Sequence, residues 1–253
     1  MPTAHDRHAD SSASTGSAPT SPAGANGAGS GAAHDPEEAA ARLAVVEAAN
    51  TLFTNGVMSH TGHANLSARV GAGAMVLTAT GHVRHLTEDD LVRVELDGRV
   101  VSGTIDPTNA EIVAMHTEVY RARPGVGGVI HTHSPNLLAF ALANRPLPCR
   151  YEALLRFGQA DEVPVVPWAP RGSEASVGGI VEALAAHPAT NAVLLGNHGV
   201  LVFAPTPGAA AQLVTVLEEA AAAELGAETL GGATDFPAGA LEQVRASMAR
   251  VRS

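Results

Sequence analysis

The chain has 253 residues, an apolar fraction of 45% and a formal net charge of −10 at pH 7. This length and apolar content suit an ordinary packed core in one or two domains. The negative charge argues against broad binding to nucleic acid or to an anionic membrane, so we expect a small-molecule partner.

The amino-acid types exclude several kinds of chemistry. The single cysteine, Cys149, excludes an internal disulfide, and all 15 basic side chains are arginine. Without lysine, Schiff-base aldolases, pyridoxal-phosphate enzymes and Walker-type ATPases are excluded. No apolar stretch reaches the roughly 20 residues that span a bilayer, and the N-terminus lacks an apolar segment of signal-peptide length. We therefore predict a cytoplasmic location.

The first half of the chain divides into a tail and the start of a folded domain. Residues 1–35 are rich in Ala, Gly and Ser, which predicts a disordered tail followed by one domain over residues 36–253. Asp35 as N-cap, a proline after it and apolar residues at helical spacing predict a helix that ends near Gly56. The runs "HANLSARV" and "AMVLTATG" then predict a β-hairpin.

The next elements predict a partly antiparallel sheet with helices around it. A helical turn capped by Thr87 precedes two short strands around the Asp97-Gly98 turn. Later helices and strands are expected, in order, at "DPTNAEIVAMHTEVYRARP", "VIHTHS", "PNLLAFALAN", "VPVVPW", "SVGGIVEALAAH", "NAVLLGNHGVLVF" and "GAAAQLVTVLEEAAAAEL". Mixed around one core, these elements indicate a layered α/β or α+β domain.

Two histidines one residue apart form the first candidate site. His131 and His133 end a β-prone run, and side chains at i and i+2 of a strand lie on the same face, where they can bind one cation. His198 lies in a second strand candidate, "AVLLGNHGVLV". Taken alone, the pair is better explained as one hydrogen-bonded core histidine and one solvated loop histidine, and His198 alone as a hydrogen-bonded core residue. Together they match a three-coordinate divalent metal site with an open position for substrate.

The order of motifs carries a family resemblance. The segments "GHANLSAR", "LTATG", "LTEDDLVRVELDGRVVSG", "PTNAEIVAMHTEVYRARPGVGGVIHTHS" and "LLGNHGVLV" resemble, in that order, the class II aldolase/adducin family of metal-dependent lyases, which includes fuculose-phosphate aldolase. The resemblance covers residues 38 to about 225. It implies an α/β fold, a three-layer αβα sandwich with a mainly antiparallel central sheet. It also implies a homotetramer with active sites at subunit interfaces.

The same resemblance implies roles for individual residues. The metal ligands of the family fall on His131, His133 and His198, and Zn²⁺ is the usual metal, with Fe²⁺, Mn²⁺ and Co²⁺ open as alternatives. The phosphate-binding loop of the family matches "HANLS", which contains Asn65, and a later Thr-Gly pair of the family matches Thr80 and Gly81. Ordinary turn chemistry is the alternative for Asn65 and Gly81. We add Thr108 and Asn109 as further candidates for binding the anionic end of the substrate. A hydroxyl, an amide and a glycine backbone suit phosphate oxygens without a cation.

The chain departs from the family pattern at the catalytic acid. The family places a glutamate four residues before the histidine that matches His116, and that position is Ile112 here, beside Glu111. The run "PTNAE" has one extra residue after its proline, so we predict that a local insertion turns Glu111 toward the metal. The alternative is an exposed glutamate stabilised by the helix macrodipole.

The tyrosines depart from the family pattern as well. Family aldolases use one tyrosine soon after the metal pair, which Tyr151 matches, and another near the C-terminus, where this chain has none. Four polar residues near the motifs stay unassigned as candidates for substrate contact, since binding residues concentrate in loops. They are His63, His82, His85 and Arg84.

These residues predict a metal-dependent aldehyde-lyase of the class II aldolase type. The expected reaction is retro-aldol cleavage of a small hydroxy-carbonyl compound, a sugar phosphate, through a metal-bound enediolate. Glu111 moves the proton and Tyr151 assists. The alternatives are an epimerase, dehydratase or decarboxylase, or an Fe²⁺-dependent oxygenase, on the same metal site. A non-catalytic, adducin-like scaffold is a further alternative, against which the three histidines count.

Overall fold

A computed structural model describes residues 35–251, without the side chains of Thr108 and of residues 249–251. The predicted tail therefore lies outside the described residues, except for Asp35. The Asp35 side chain accepts a hydrogen bond from the backbone N–H of Glu37 and caps the first helix, as predicted. No helix within residues 35–251 has the length and apolarity needed to cross a membrane.

One eight-stranded sheet forms the middle layer. Its strands lie in the order β4-β3-β2-β1-β5-β8-β7-β6, and every neighbouring pair is antiparallel except β6 and β7. The strands are β1 (Ala64–Val70), β2 (Ala74–Thr78), β3 (Leu91–Glu95), β4 (Val100–Ser102), β5 (Gly128–Thr132), β6 (Val165–Val166), β7 (Ala192–Leu195) and β8 (Gly199–Ala204).

Helices cover both faces of this sheet. They are α1 (Pro36–Thr54), α2 (Ala110–Ala122), α3 (Pro135–Ala143), α4 (Glu152–Arg156), α5 (Glu174–Ala186), α6 (Pro207–Glu228) and α7 (Ala240–Val251), with 3-10 helices at Glu88–Asp90 and Pro107–Asn109. Apolar residues of α1, α3, α4 and α6 form the core on one face, and those of α2 and α5 form the core on the other. The predicted three-layer α/β fold with a mainly antiparallel sheet is confirmed.

One predicted strand is wrong in a way that matters for the site. The sequence "NAVLLGNHGVLVF" reads as one continuous strand, whereas the structure divides it into β7 and β8 around a turn at Gly196, Asn197 and His198. Asn197 has a φ of 56°, a left-handed conformation that asparagine adopts more readily than most residues. His198 therefore lies in a turn and not on a strand.

A buried ion pair joins α1 to the sheet. Arg42, which is 2% exposed, donates to Glu38 and to the carbonyl oxygens of Glu88 and Leu91, each at 2.9 Å or less. Glu38 also accepts a hydrogen bond of 2.9 Å from Arg93 of β3. The guanidinium thus satisfies carbonyl groups at the start of β3 while its charge is balanced.

Replacing Arg42 should destabilise the fold. Arg42→Met removes the buried cation that faces Glu38 and the donors to two carbonyl oxygens, so we expect a loss of about 3 kcal/mol in the free energy of unfolding. Urea denaturation measures it. Arg99→Met is the matched control, because Arg99 is 67% exposed and 3.9 Å from Asp97, and it should cost at most about 0.5 kcal/mol. Equal losses in the two variants would contradict the role of the buried pair.

Candidate metal site and pocket

Strand β5 places His131 on the sheet face that α2 and α5 cover. His131 lies opposite Asn65 of β1 and Leu201 of β8, and opposed residues of antiparallel strands share a face. The ring is 2% exposed, and its Nδ1 donates to the carbonyl oxygen of Val200 at 3.0 Å. This bond fixes the ring and leaves Nε2 as the nitrogen with a lone pair for a metal.

His133 and His198 approach His131 from two loops. His133 follows the end of β5. His198 comes from the turn between β7 and β8. The ring centroids of His131, His133 and His198 lie 4.7 to 5.1 Å apart, and one ligand atom from each falls within 4.8 Å of the others. The structure therefore brings together the three histidines that the sequence predicts as metal ligands.

The close approach of these rings depends on a glycine. A Cβ atom at Gly199 would lie 2.6 Å from the carbonyl oxygen of Thr132 and 2.8 Å from Cδ2 of His133. Both distances are shorter than ordinary van der Waals contact. Gly199 thus lets β8 start directly beside His131 and His133.

The protonation state of the three rings suits a metal ion. Burial lowers the pKa of His131 well below its usual value, and the neighbouring His198 and His133 lower it further. Burial, followed by His198 and His63, lowers the pKa of His133 to about 4. Burial also lowers the pKa of His198. Near neutral pH the three imidazoles are therefore uncharged and offer the lone pairs that a divalent metal requires.

A pocket of about 210 Å³ opens beside His131 and His198. Glu111, at the start of α2, contributes a carboxylate to this pocket and forms an ion pair with Arg171 from the loop before α5. Ile112 lines the same pocket and is 3% exposed. Most of the remaining wall is apolar, formed by Met115, Val166, Pro167, Trp168, Val177, Ile180 and Leu195.

Helix α2 is held to the sheet directly below this pocket. Nδ1 of His116 lies 2.7 Å from the hydroxyl of Ser67, which in turn lies 2.9 Å from the hydroxyl of Tyr120. His116 is fully buried, and burial lowers its pKa to about 3, so it packs as a neutral ring. The predicted insertion would fall at the 3-10 helix Pro107–Asn109, and Glu111 lines the pocket at the start of α2.

The residues predicted to bind the anionic end lie in two neighbouring loops and on β1. Asn65 is fully buried, and neither polar atom of its side chain has a hydrogen-bond partner within the described chain. Nδ2 of Asn109 donates to the carbonyl of Ala79 at 3.4 Å, which joins the loop after β2 to the one before α2. Thr80 is exposed, and its hydroxyl accepts from the N–H of His82. The Thr108 side chain lies outside the described residues.

His63 lies closer to the metal ligands than its sequence position indicates. Its ring stacks on His133 with centroids 5.5 Å apart, and the ring of His82 meets it edge-on at 5.9 Å. A Cβ atom at Gly81 would lie 2.0 Å from the His63 ring. Gly81, which the sequence assigns to substrate binding, thus also makes room for His63. The adjacency of His63 to the "ANLS" motif was its one sequence signal.

The predicted set of site residues and the residues that line the pocket differ at two further positions. Tyr151 is 41% exposed at the start of α4 and does not line this pocket, so its catalytic role stays a prediction. Arg171 was not among the predicted site residues. Its only signal was a position in the loop after the predicted strand "VPVVPW", where binding residues are common.

Comparison with known proteins agrees with this geometry. Residues 43–225 match the model of the Class II Aldolase and Adducin N-terminal domain. A relative from Rhodospirillum rubrum, 5-methylthioribulose-1-phosphate/5-deoxyribulose-1-phosphate aldolase, is 29% identical over 72% of this chain and 79% of its own length. The structure of an L-fuculose 1-phosphate aldolase matches at a TM-score of 0.72 and 23% identity, over 83% of this chain and 96% of that one.

A second solved structure has higher sequence identity. The L-fuculose-1-phosphate aldolase of Thermus thermophilus is 27% identical, with a TM-score of 0.62, and the match covers 78% of this chain and 98% of that chain. The chain belongs to the class II aldolase/adducin family and is an aldolase-type enzyme. Enzymes of this family depend on a divalent metal, and the three neutral histidines fit one by their chemistry.

Adding one carbon at Gly199 should disrupt the site. In Gly199→Ala the new methyl group meets the backbone of Thr132 and the ring of His133, so we expect a loss of about 1–3 kcal/mol in stability together with lower metal content. Calorimetry and elemental analysis measure the two effects. Gly208→Ala is the control, since a Cβ atom there meets nothing within 4 Å. A Gly199→Ala variant with the metal content of the control would show that the close approach is dispensable.

Proposed function

We propose that the chain is a metal-dependent aldehyde-lyase that cleaves a sugar phosphate by a reversible retro-aldol reaction. The observation that carries this proposal is the convergence of three neutral imidazoles beside a pocket that also holds one carboxylate. His131, His133 and His198 would hold the metal, with Zn²⁺ preferred. Such an ion acts as a Lewis acid that polarises a carbonyl oxygen and stabilises negative charge on it.

Glu111 supplies the group that moves a proton. In cleavage, the bond between the carbons α and β to the carbonyl breaks, the hydroxyl on the β carbon loses its proton as that carbon becomes the aldehyde, and the α carbon gains a proton. Glu111 lines the pocket that His131 also lines, so its carboxyl group can deliver that proton or remove it in the reverse reaction. Tyr151, which does not line the pocket of its own chain, would assist from a neighbouring subunit of the proposed homotetramer. A homotetramer and a cytoplasmic location remain predictions.

The anionic end of the substrate is proposed to bind near Asn65. Its buried, unpartnered amide offers both a donor and an acceptor, and an unpaired buried amide costs free energy until a ligand satisfies it. Thr80, Gly81, Thr108 and Asn109 belong to the loops on either side and are proposed to complete the phosphate site. No lysine is needed, because hydroxyl, amide and main-chain N–H groups can bind phosphate oxygens.

The other end of the substrate is proposed to be apolar. The pocket wall beside Glu111 includes Met115, Val177 and Ile180, none of which offers a hydrogen bond to a hydroxyl group. The Rhodospirillum rubrum relative is named for two ribulose 1-phosphates whose carbon 5 carries a methylthio group or no oxygen. The apolar pocket wall and the name of this relative both favour a ketose 1-phosphate without a hydroxyl at carbon 5 as the substrate.

Removing one ligand tests the metal site. His133→Ala should abolish both metal content and turnover, because two imidazoles do not complete a three-ligand set. Elemental analysis of protein purified without added metal measures the content and identifies the metal. The control is His187→Ala, which alters a histidine at the end of α5 outside the pocket. Metal content unchanged in His133→Ala would refute the ligand assignment.

Paired substrates test the apolar end. We expect kcat/KM for 5-deoxyribulose 1-phosphate to exceed that for ribulose 1-phosphate by about tenfold, since a buried hydroxyl without a partner costs at least 1 kcal/mol or so. Val177→Thr adds a hydroxyl group to the pocket wall at constant volume. It should therefore reduce the ratio of the two kcat/KM values. Chromatographic identification of the products separates cleavage from epimerisation, dehydration and decarboxylation. Equal kcat/KM values for the two sugars would count against an apolar end.

A further inference from the structure

Arg171 holds a position that the proposed reaction does not yet use. It lies in the loop between β6 and α5, lines the pocket, and pairs through Nε with Oε1 of Glu111. The Glu111 side chain is 20% exposed and that of Arg171 is 56% exposed. The guanidinium therefore covers the carboxylate from the solvent side of the pocket.

The residue after Arg171, Gly172, also lies near Glu111. Gly172 has a φ of +72°, and a Cβ atom there would lie 3.4 Å from both Cβ and Oε2 of Glu111. The loop thus bends over the glutamate at the residue that follows the arginine. The ion pair with Arg171 is therefore the observed contact of this loop with the Glu111 carboxylate.

Arg171 and Glu111 carry the two formal charges among the described residues that line the pocket. Among the described lining residues Arg171 is the one arginine and Glu111 the one carboxylate, while His131 and His198 are neutral. The charge of Arg171 also contributes to the lowered pKa of His63, His133 and His198, after the larger effect of burial. The ion pair favours an orientation in which Oε1 of Glu111 faces Arg171.

We propose that Arg171 is a positioning residue that fixes the Glu111 carboxylate at the pocket wall for proton transfer. This inference rests on the proposed function, in which Glu111 moves the proton. Glu111 precedes by one residue the helical position at which the family resemblance expects the carboxylate, so its direction depends on contacts outside α2. The ion pair with Arg171 is such a contact. Proton transfer loses efficiency steeply when the acid or base is misplaced.

A double-mutant cycle on one half-reaction tests this role. Retro-aldol cleavage of a ketose 1-phosphate yields dihydroxyacetone phosphate, whose carbon-bound proton the enzyme should exchange with deuterium oxide, as followed by NMR. We expect Glu111→Gln to lower kcat for exchange by about 100-fold and Arg171→Met by about 10-fold, with KM changed less than about twofold. The double variant should exchange no more slowly than Glu111→Gln, because Arg171 acts only through Glu111.

Three controls separate positioning from a general structural effect. Arg156→Met removes an exposed arginine paired with Glu152 on α4 and should leave kcat and KM unchanged. Metal content and melting temperature of Arg171→Met should equal those of the parent. Added guanidinium should restore exchange in Arg171→Ala but not in Arg171→Ala/Glu111→Gln. If Arg171→Ala were slow only because packing was lost, guanidinium would not restore its rate.

Each other outcome has a defined meaning. A higher KM with unchanged kcat in Arg171→Met would make Arg171 a substrate-binding group and overturn the positioning role. If the two decreases in exchange rate multiply in the double variant, Arg171 acts independently of Glu111, and the positioning role is overturned as well. If Glu111→Gln exchanges like the parent, the proposed role of Glu111 fails and the inference fails with it. If Glu111→Gln is impaired and Arg171→Met is not, the inference alone fails.

Discussion

The antiparallel pairing of β5 with β8 is the constraint on which the site depends. Thr132 at the end of β5 lies opposite Val200 near the start of β8, so His133, one residue past Thr132, meets the turn that carries His198. The same pairing supplies the Val200 carbonyl that orients His131. Any other register would separate the three rings, because a shift of one residue moves every side chain to the opposite face.

The two faces of the sheet differ in the polarity of the residues that they bury. The face under α1, α3, α4 and α6 is closed by a large apolar core. The face under α2 and α5 is apolar toward β2 and β3 but polar around β1 and β5, where Asn65, Ser67 and His131 point toward α2. Burial of these polar groups beside a pocket keeps the imidazoles neutral and lets one arginine and one glutamate dominate the local charge.

Local signals in the sequence predicted much of this arrangement. The hairpin of β1 and β2, the capped start of α1 and the helix carrying Glu111 all follow from spacing and capping residues. The turn at Gly196, Asn197 and His198 escaped prediction because its flanks are continuously apolar, and an apolar run does not show where a strand folds back on itself. Arg171 escaped it too, because a contact with Glu111, a residue far away in the chain, leaves no periodic pattern.

The sequence by itself determined the layered α/β fold, the three histidines and the family, because ordered motifs and hydrophobic periodicity are local properties of the chain. Only the tertiary structure decided which groups share one pocket. It brought His63 against His133, joined Arg171 to Glu111 and left Tyr151 on the surface. The physical reason is that strand pairing and helix packing bring together side chains from distant segments, and those contacts set their charge, orientation and exposure.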